Sequence, residues 1–137
     1  MNVLDENLRA DQGDLLRRAR IRHRWIGGEI GRTGTSDEDI IPILHRLKRP
    51  TLFTHDAGFF DPRHRHPNYC LVWLDVKPRL AALLVRRFLR HARFNPQAVR
   101  LGSVVAAHYS FLEVWRLHAN QPEQIPWDVP FREMRPD

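Results

Sequence analysis

Short, continuous apolar runs alternate along the chain with longer segments in which apolar residues recur every three or four positions. The runs at 2–4, 21–26, 51–54 and 70–76 predict four β-strands. The intervening segments at 8–21, 35–50 and 79–94 have the spacing of helices. Strands that alternate with helices predict an α/β fold in which a mostly parallel sheet is built with right-handed crossovers. In a 2-1-3-4 strand order, the first and third strands would be neighbours.

The C-terminal third of the chain has a less decisive pattern. Residues 103–118 fit either one helix or two strands separated by a turn, and the pattern alone leaves both open. Beyond Ala119 the chain contains four prolines, which predicts an irregular tail over 120–137. Trp127 and Phe131 are the side chains expected to anchor that tail.

Composition favours one compact domain with a nucleic-acid partner. The chain has 137 residues, of which 42% are hydrophobic, and no apolar run approaches the ~18 residues of a membrane helix. Met1 leads into a segment with neither a basic start nor an apolar leader, so we expect no signal peptide and a cytoplasmic location. Cys70 is the only cysteine, which excludes disulfides and cysteine-based zinc sites. The net charge of +6 favours a polyanionic partner such as RNA.

Aspartates follow the predicted strands at positions where ligands commonly bind. Asp5 ends the first strand and Asp56 comes just after the third, so both belong to the carboxyl edge of the sheet. Asp37, at the start of the second helix, would project toward the same edge. Converging carboxylates repel one another unless a cation or proton lies among them, and oxygen ligands suit Mg²⁺ or Mn²⁺. Purely structural roles, at a helix start for Asp37 and in a turn for Asp56, remain open.

Several motifs together resemble a known family. "VLDEN", "GTSDEDI" and "LFTHD", the last followed by a glycine, two phenylalanines and an apolar strand, resemble the compact PIN-like domains. These are relatives of the PilT N-terminus nucleases and of toxin–antitoxin ribonucleases, and the resemblance covers about residues 3–94. It implies a three-layer α/β/α sandwich and a C-terminal β-hairpin appended at about 103–118. It also implies an acidic pocket that binds Mg²⁺ or Mn²⁺ and cleaves RNA, with Asp5, Asp37 and Asp56 as the metal-binding catalytic residues.

The chain departs from this family at one position. Compact members often have a second aspartate two residues after the one in the Thr-x-Asp motif, and here that residue is Gly58. The fourth carboxylate is therefore missing, or comes from Glu6, Asp39 or Asp61. The departure favours an alternative function, in which a PIN-like scaffold binds RNA or a protein without cleaving.

Histidines and arginines supply further candidates. The segment 55–66 contains three histidines, and a transition-metal hydrolase site built on them is a third hypothesis. His55 is also a candidate for positioning substrate or water. Arg63 and Arg65 would add positive charge beside the acidic pocket. The candidates for contacting a phosphate backbone on the third helix include Arg86 and Arg90, which share one helical stripe with Arg79 and Arg93.

The sequence thus predicts a PIN-like domain over 1–119, with a core over 1–94, and a metal-dependent ribonuclease activity. The expected partners are RNA, an antitoxin protein if the chain is a toxin, and a second copy of the chain in a homodimer, but no membrane.

Overall fold

The computed structural model describes residues 1–28, 30–31 and 37–128, without the side chain of Asp37. Within these ranges, no helix combines the length and apolar character needed to cross a bilayer. The elements in chain order are β1 (Asn2–Leu4), α1 (Ala10–Arg18), β2 (Arg24–Trp25), α2 (Asp37–Arg46), β3 (Thr51–Thr54), β4 (Cys70–Asp75), α3 (Ala81–Arg90), α4 (Gln97–Arg100), β5 (Val104–His108), β6 (Phe111–Trp115) and β7 (Glu123–Pro126). Single turns of 3₁₀-helix cover Ala57–Phe59, Pro62–His64 and Pro78–Leu80.

The seven strands form one sheet in the order β2-β1-β3-β4-β5-β6-β7. The first five are parallel, whereas β6 runs antiparallel to β5 and β7 runs antiparallel to β6. The α/β class and the mostly parallel sheet are therefore confirmed. Because β1 pairs directly with β3, the chain segments that follow these two strands leave the same edge of the sheet side by side.

Helices cover both faces of the sheet, and each face has its own hydrophobic core. Alternate residues of a strand point to opposite faces. One face carries a row of buried residues in register across five strands and packs against α1 and α3: Leu4, Phe53, Val72, Val105 and Val114. The other face carries Val3, Leu52, Leu71 and Val104 and packs against α2.

The connection through α3 has the opposite hand to the connections through α1 and α2. α1 lies in the connection from β1 to β2, and α3 lies in the connection from β4 to β5. These two connections cross the sheet in opposite directions, yet both helices pack on the same face. The connection through α2, from β2 to β3, crosses in the same direction as the one through α3, but α2 packs on the other face. The expectation of right-handed crossovers throughout is therefore wrong. The consequence is that α3 lies beside α1, where the Gln12 side-chain oxygen accepts a 2.9 Å hydrogen bond from the Ala82 amide.

The C-terminal third extends the sheet. Residues 103–118 contain the two strands β5 and β6, and β5 continues the parallel sheet beside β4, so these strands do not lie apart from the core. The prediction of an irregular tail is wrong for 123–126, which form the edge strand β7 with Ile125 buried. Pro126 is tolerated because an edge strand does not need every amide for pairing. Trp127 anchors this strand by donating to the His108 carbonyl at 3.0 Å, while Phe131 lies outside the described residues.

Candidate functional site

Asp5 lies at the carboxyl end of β1 and is almost completely buried, with 4% of its surface exposed. Its Oδ1 accepts a hydrogen bond from the Glu6 amide at 2.8 Å, and its Oδ2 accepts one from the Thr54 hydroxyl at 2.7 Å. Each carboxylate oxygen therefore has its own donor, and the orientation of the group is fixed by the ends of two strands.

The Thr54 hydroxyl connects the residues at this edge. Thr54 is the last residue of β3 and has no exposed surface. While it donates to Asp5, its oxygen accepts from the Asp56 amide at 3.0 Å and from the Asn7 side-chain amide at 3.2 Å. The Asn7 side chain also accepts from the His55 amide at 3.1 Å. One hydroxyl group thus ties the segment after β1 to the turn after β3.

Asp56 has the turn role that the sequence left open. It precedes the 3₁₀ turn Ala57–Phe59, and its Oδ1 accepts from the Gly58 amide at 2.8 Å. A Cβ atom at position 58 would lie 3.1 Å from this oxygen, so the glycine allows the turn to close tightly on the carboxylate. The capping role does not remove Asp56 from the acidic site, because its charge acts on Asp5.

The electrostatics of Asp5 reflect both its burial and its acidic neighbours. Burial raises the pKa of Asp5, and the hydrogen bonds from Thr54 and from the Glu6 amide oppose that rise. The charges of Glu6 and Asp56 raise the pKa of Asp5 further. A cation beside Asp5 would relieve this unfavourable interaction.

The remaining acidic candidates have different surroundings. α2 leads from β2 to β3, so Asp37 begins that helix on the side of the sheet where the strands end, but its side chain lies outside the described residues. Asp39 and Glu6 are exposed. Asp61 is held by Arg63, whose guanidinium lies 2.6 Å from its carboxylate and lowers the pKa of Asp61 to about 2. Among the described side chains, no group of three or more His, Cys, Asp or Glu residues is arranged to surround a metal ion.

The histidines of segment 55–66 lie toward opposite ends of β4. The Nδ1 of His55 contacts the Leu74 carbonyl at 3.0 Å, near the carboxyl end of the strand. The ring of His66 stacks on Tyr69, which precedes the strand, with 5.7 Å between centroids. Leu74 and Tyr69 are five residues apart, which is about 17 Å along an extended chain. The structure therefore does not assemble these two histidines into one metal site.

A second polar group at the carboxyl edge was not predicted from the sequence. The two ring nitrogens of His108, at the end of β5, lie 2.7 Å from the carboxylates of Asp75 and Glu113, on β4 and β6. These contacts connect three neighbouring strands, β4, β5 and β6. The available signal was a histidine that directly follows a buried apolar run, the same pattern that drew attention to His55.

The arginines predicted to bind RNA have distinct environments. The Arg63 side chain is 88% exposed. Arg65 is tied to the protein, because its Nη1 donates to the Arg116 and Ala119 carbonyls at 2.8 Å each and its guanidinium lies over the Trp115 ring. Arg86 is 8% exposed and lines a groove between α1 and α3, to which the exposed Arg90 also contributes. Arg93, the last residue of the predicted stripe, pairs with Glu123.

Comparison with known proteins gave no relatives: no family model, no curated protein sequence and no solved structure matches this chain.

Proposed function

We propose that this protein is a metal-dependent ribonuclease of the PIN-like type, with its active site at the carboxyl edge of the sheet. The observation that carries this proposal is the Thr54 hydroxyl, which bonds at once to the Asp5 carboxylate and to the Asp56 amide. The bonds bring two acidic residues from distant parts of the chain to the ends of neighbouring parallel strands, the usual location of ligand sites in such sheets.

The residues that would hold the cation are Asp5, Asp56 and Asp37. Asp5 supports a cation because its carboxylate is buried beside the charges of Glu6 and Asp56, and no described basic side chain forms an ion pair with it. Asp37 is the candidate third ligand, since α2 begins with it. When bound, Mg²⁺ or Mn²⁺ supplies a water of lowered pKa and neutralises charge on the scissile phosphate. The role of Thr54 is to hold the Asp5 carboxylate in one orientation.

RNA is the proposed substrate because the chain is strongly basic and phosphodiesters are polyanions. Arg63 is the exposed cation closest in sequence to the Asp56 turn, and we propose that it contacts the substrate backbone. The Arg65 guanidinium is engaged by backbone carbonyls and acts on the shape of this loop instead. In a toxin–antitoxin system the partner would be an antitoxin that covers the same edge.

The test is cleavage of single-stranded RNA in the presence of Mn²⁺. We expect wild-type cleavage that chelation stops and that Asp5→Asn reduces at least ~100-fold, a loss of the size typical when a preorganised charge that stabilises the transition state is removed. Asp14→Asn is the matched control, because it makes the same chemical change at an exposed carboxylate on α1 that is paired with Arg17. Cleavage that survives both chelator and Asp5→Asn would rule out this active site.

Gly58 favours a second candidate function, a PIN-like scaffold that binds RNA or protein without cleaving. Gly58 lacks a carboxylate, and its backbone is not in the left-handed region, so Gly58→Asp places an acidic side chain there without backbone strain. The 3.1 Å approach to the Asp56 Oδ1 requires only a small shift. An inert wild type that gains metal-dependent cleavage through Gly58→Asp would establish the scaffold. A wild type that cleaves, with little change in Gly58→Asp, would establish the nuclease.

A further inference from the structure

A groove of about 350 Å³ between α1 and α3 is lined by five arginines. Two come from the end of α1 and the residues after it, and three come from α3 and the turn before it: Arg18, Arg20, Arg79, Arg86 and Arg90. The groove exists because the unusual α3 connection places this helix beside α1. Its residues are separate from those of the acidic site at the carboxyl edge.

None of the five arginines forms an ion pair with a carboxylate among the described residues. Neighbouring arginines outside the groove do have such partners, since Arg17 pairs with Asp14 and Arg9 pairs with Asp11. Like charges gathered around one groove repel one another, so an unpaired group of this kind costs stability unless an anion enters.

Arg86 is the strongest sign of a ligand site. Its surface is only 8% exposed, and its buried Nε has no hydrogen-bond partner among the described residues. A buried donor without a partner is costly, because it has lost its water and gained no hydrogen bond. An anion in the groove would compensate the charge of this guanidinium, and the planar fork of arginine matches the oxygens of a phosphate.

We propose that this groove binds a ligand that carries two or three linked phosphates. A single phosphate monoester carries about 1.5 to 2 negative charges, so five guanidinium groups match more than one phosphate. The volume is within the usual range of small-molecule sites, about 300–1,000 Å³. Apolar side chains that include Leu15, Leu80 and Leu83 also line the groove and provide a surface for an organic part of the ligand. Both a free nucleotide and the 5′ end of an RNA offer this chemistry.

The test begins with calorimetric titration of inorganic tripolyphosphate into the full chain, with chelator present so that no cation at the acidic site contributes. We expect saturable 1:1 binding that the double variant Arg18→Gln/Arg90→Gln weakens at least ~10-fold, through lost charge-assisted contacts. Both residues are exposed, so this variant folds. The matched control is Arg17→Gln on the same helix, which should change affinity no more than ~2-fold because exposed ion pairs contribute little.

Arg86→Met provides an independent readout. Without ligand it should raise the melting temperature, since it removes a guanidinium whose buried Nε has no partner, and it should also abolish tripolyphosphate binding. If Arg86 only supported the fold, its replacement would instead lower the melting temperature.

Two further arms identify the source of the phosphates. If the ligand is a nucleotide, a nucleoside triphosphate binds and 5′-triphosphate and 5′-hydroxyl RNAs behave alike. If it is an RNA end, the 5′-triphosphate RNA binds more tightly, and the groove variant removes that difference. Absence of saturable tripolyphosphate binding would overturn the proposal, as would equal weakening by Arg17→Gln. Equal binding of both RNAs without competition by tripolyphosphate would also overturn it, and would indicate a general RNA-binding surface instead.

Discussion

Thr54→Val tests the hydrogen-bond arrangement that fixes the acidic site. Valine keeps nearly the same shape but removes the hydroxyl that donates to Asp5 and accepts from Asp56 and Asn7. Asp5 is only 4% exposed, so water cannot readily replace the lost donor. The variant therefore leaves a buried charge with one hydrogen bond fewer.

The magnitude follows from the three lost bonds. A hydrogen bond to a buried charged group contributes about 1.5–3 kcal/mol, and a neutral one contributes about 0.5–1.5 kcal/mol. The two amides that donate to this hydroxyl, those of Asp56 and of the Asn7 side chain, are only partly buried, so water replaces part of their lost hydrogen bonding. We expect the free energy of unfolding to fall by about 2–4 kcal/mol at pH 7.

The effect should depend on pH in a defined direction. The Thr54 bond lowers the pKa of Asp5, so its loss raises a folded-state pKa that burial already holds above the usual 3.8. A carboxyl group with a raised folded-state pKa destabilises the fold when ionised, and this cost disappears as the pH falls below that pKa. The difference between Thr54→Val and the wild type should therefore be largest at neutral pH and smaller near pH 4.

Urea denaturation at the two pH values measures both effects. Thr54→Ser is the control, because it keeps the hydroxyl and loses only a buried methyl group, at a cost of about 1 kcal/mol. The assigned role of the hydroxyl is incorrect if Thr54→Val lowers the free energy of unfolding at pH 7 by less than Thr54→Ser does. It is also incorrect if the loss caused by Thr54→Val grows toward pH 4.

Three other changes test the packing and the backbone. Gly13→Ala should lower the free energy of unfolding by about 1–3 kcal/mol in urea denaturation, because the new Cβ would lie 2.5 Å from the Trp25 ring; unchanged stability would contradict this contact. Arg20→Gly should raise the free energy of unfolding by about 0.5–1 kcal/mol, since Arg20 has a left-handed backbone with φ of 62° that glycine adopts without strain; a loss in thermal or urea denaturation would refute that reasoning. Cys70 has no exposed surface, and burial raises the pKa of its thiol to about 12, so alkylation followed by mass spectrometry should label it only after unfolding; rapid labelling of the folded protein would disagree.

Local patterns were enough to predict the order of β1 to β4 along the chain and the two acidic residues that follow β1 and β3. A buried apolar run predicts a strand wherever it occurs, and parallel strands necessarily end at the same edge of the sheet. The placement of Asp5 and Asp56 after β1 and β3 therefore followed from the order of the elements alone.

Features that depend on distant contacts could not be predicted in the same way. β7 has a single buried residue, Ile125, and becomes a strand because it pairs with β6. Gly13 weakens a helix by propensity, and only the position of Trp25 explains its presence. Arg86 resembles a solvent-exposed residue in sequence, but the hand of the α3 connection places it in a groove against α1.

The most direct test of the proposed active site is Mn²⁺ binding, followed by the electron paramagnetic resonance signal of the free ion. We predict that the wild type binds Mn²⁺ saturably and that Asp5→Asn and Asp56→Asn each weaken this binding at least ~10-fold, because each removes a charged oxygen ligand. The control Asp14→Asn should bind as the wild type does, since that exposed carboxylate on α1 is paired with Arg17. A wild type that leaves Mn²⁺ free, or an Asp5→Asn variant that binds it equally well, would contradict a cation site at the carboxyl edge of the sheet.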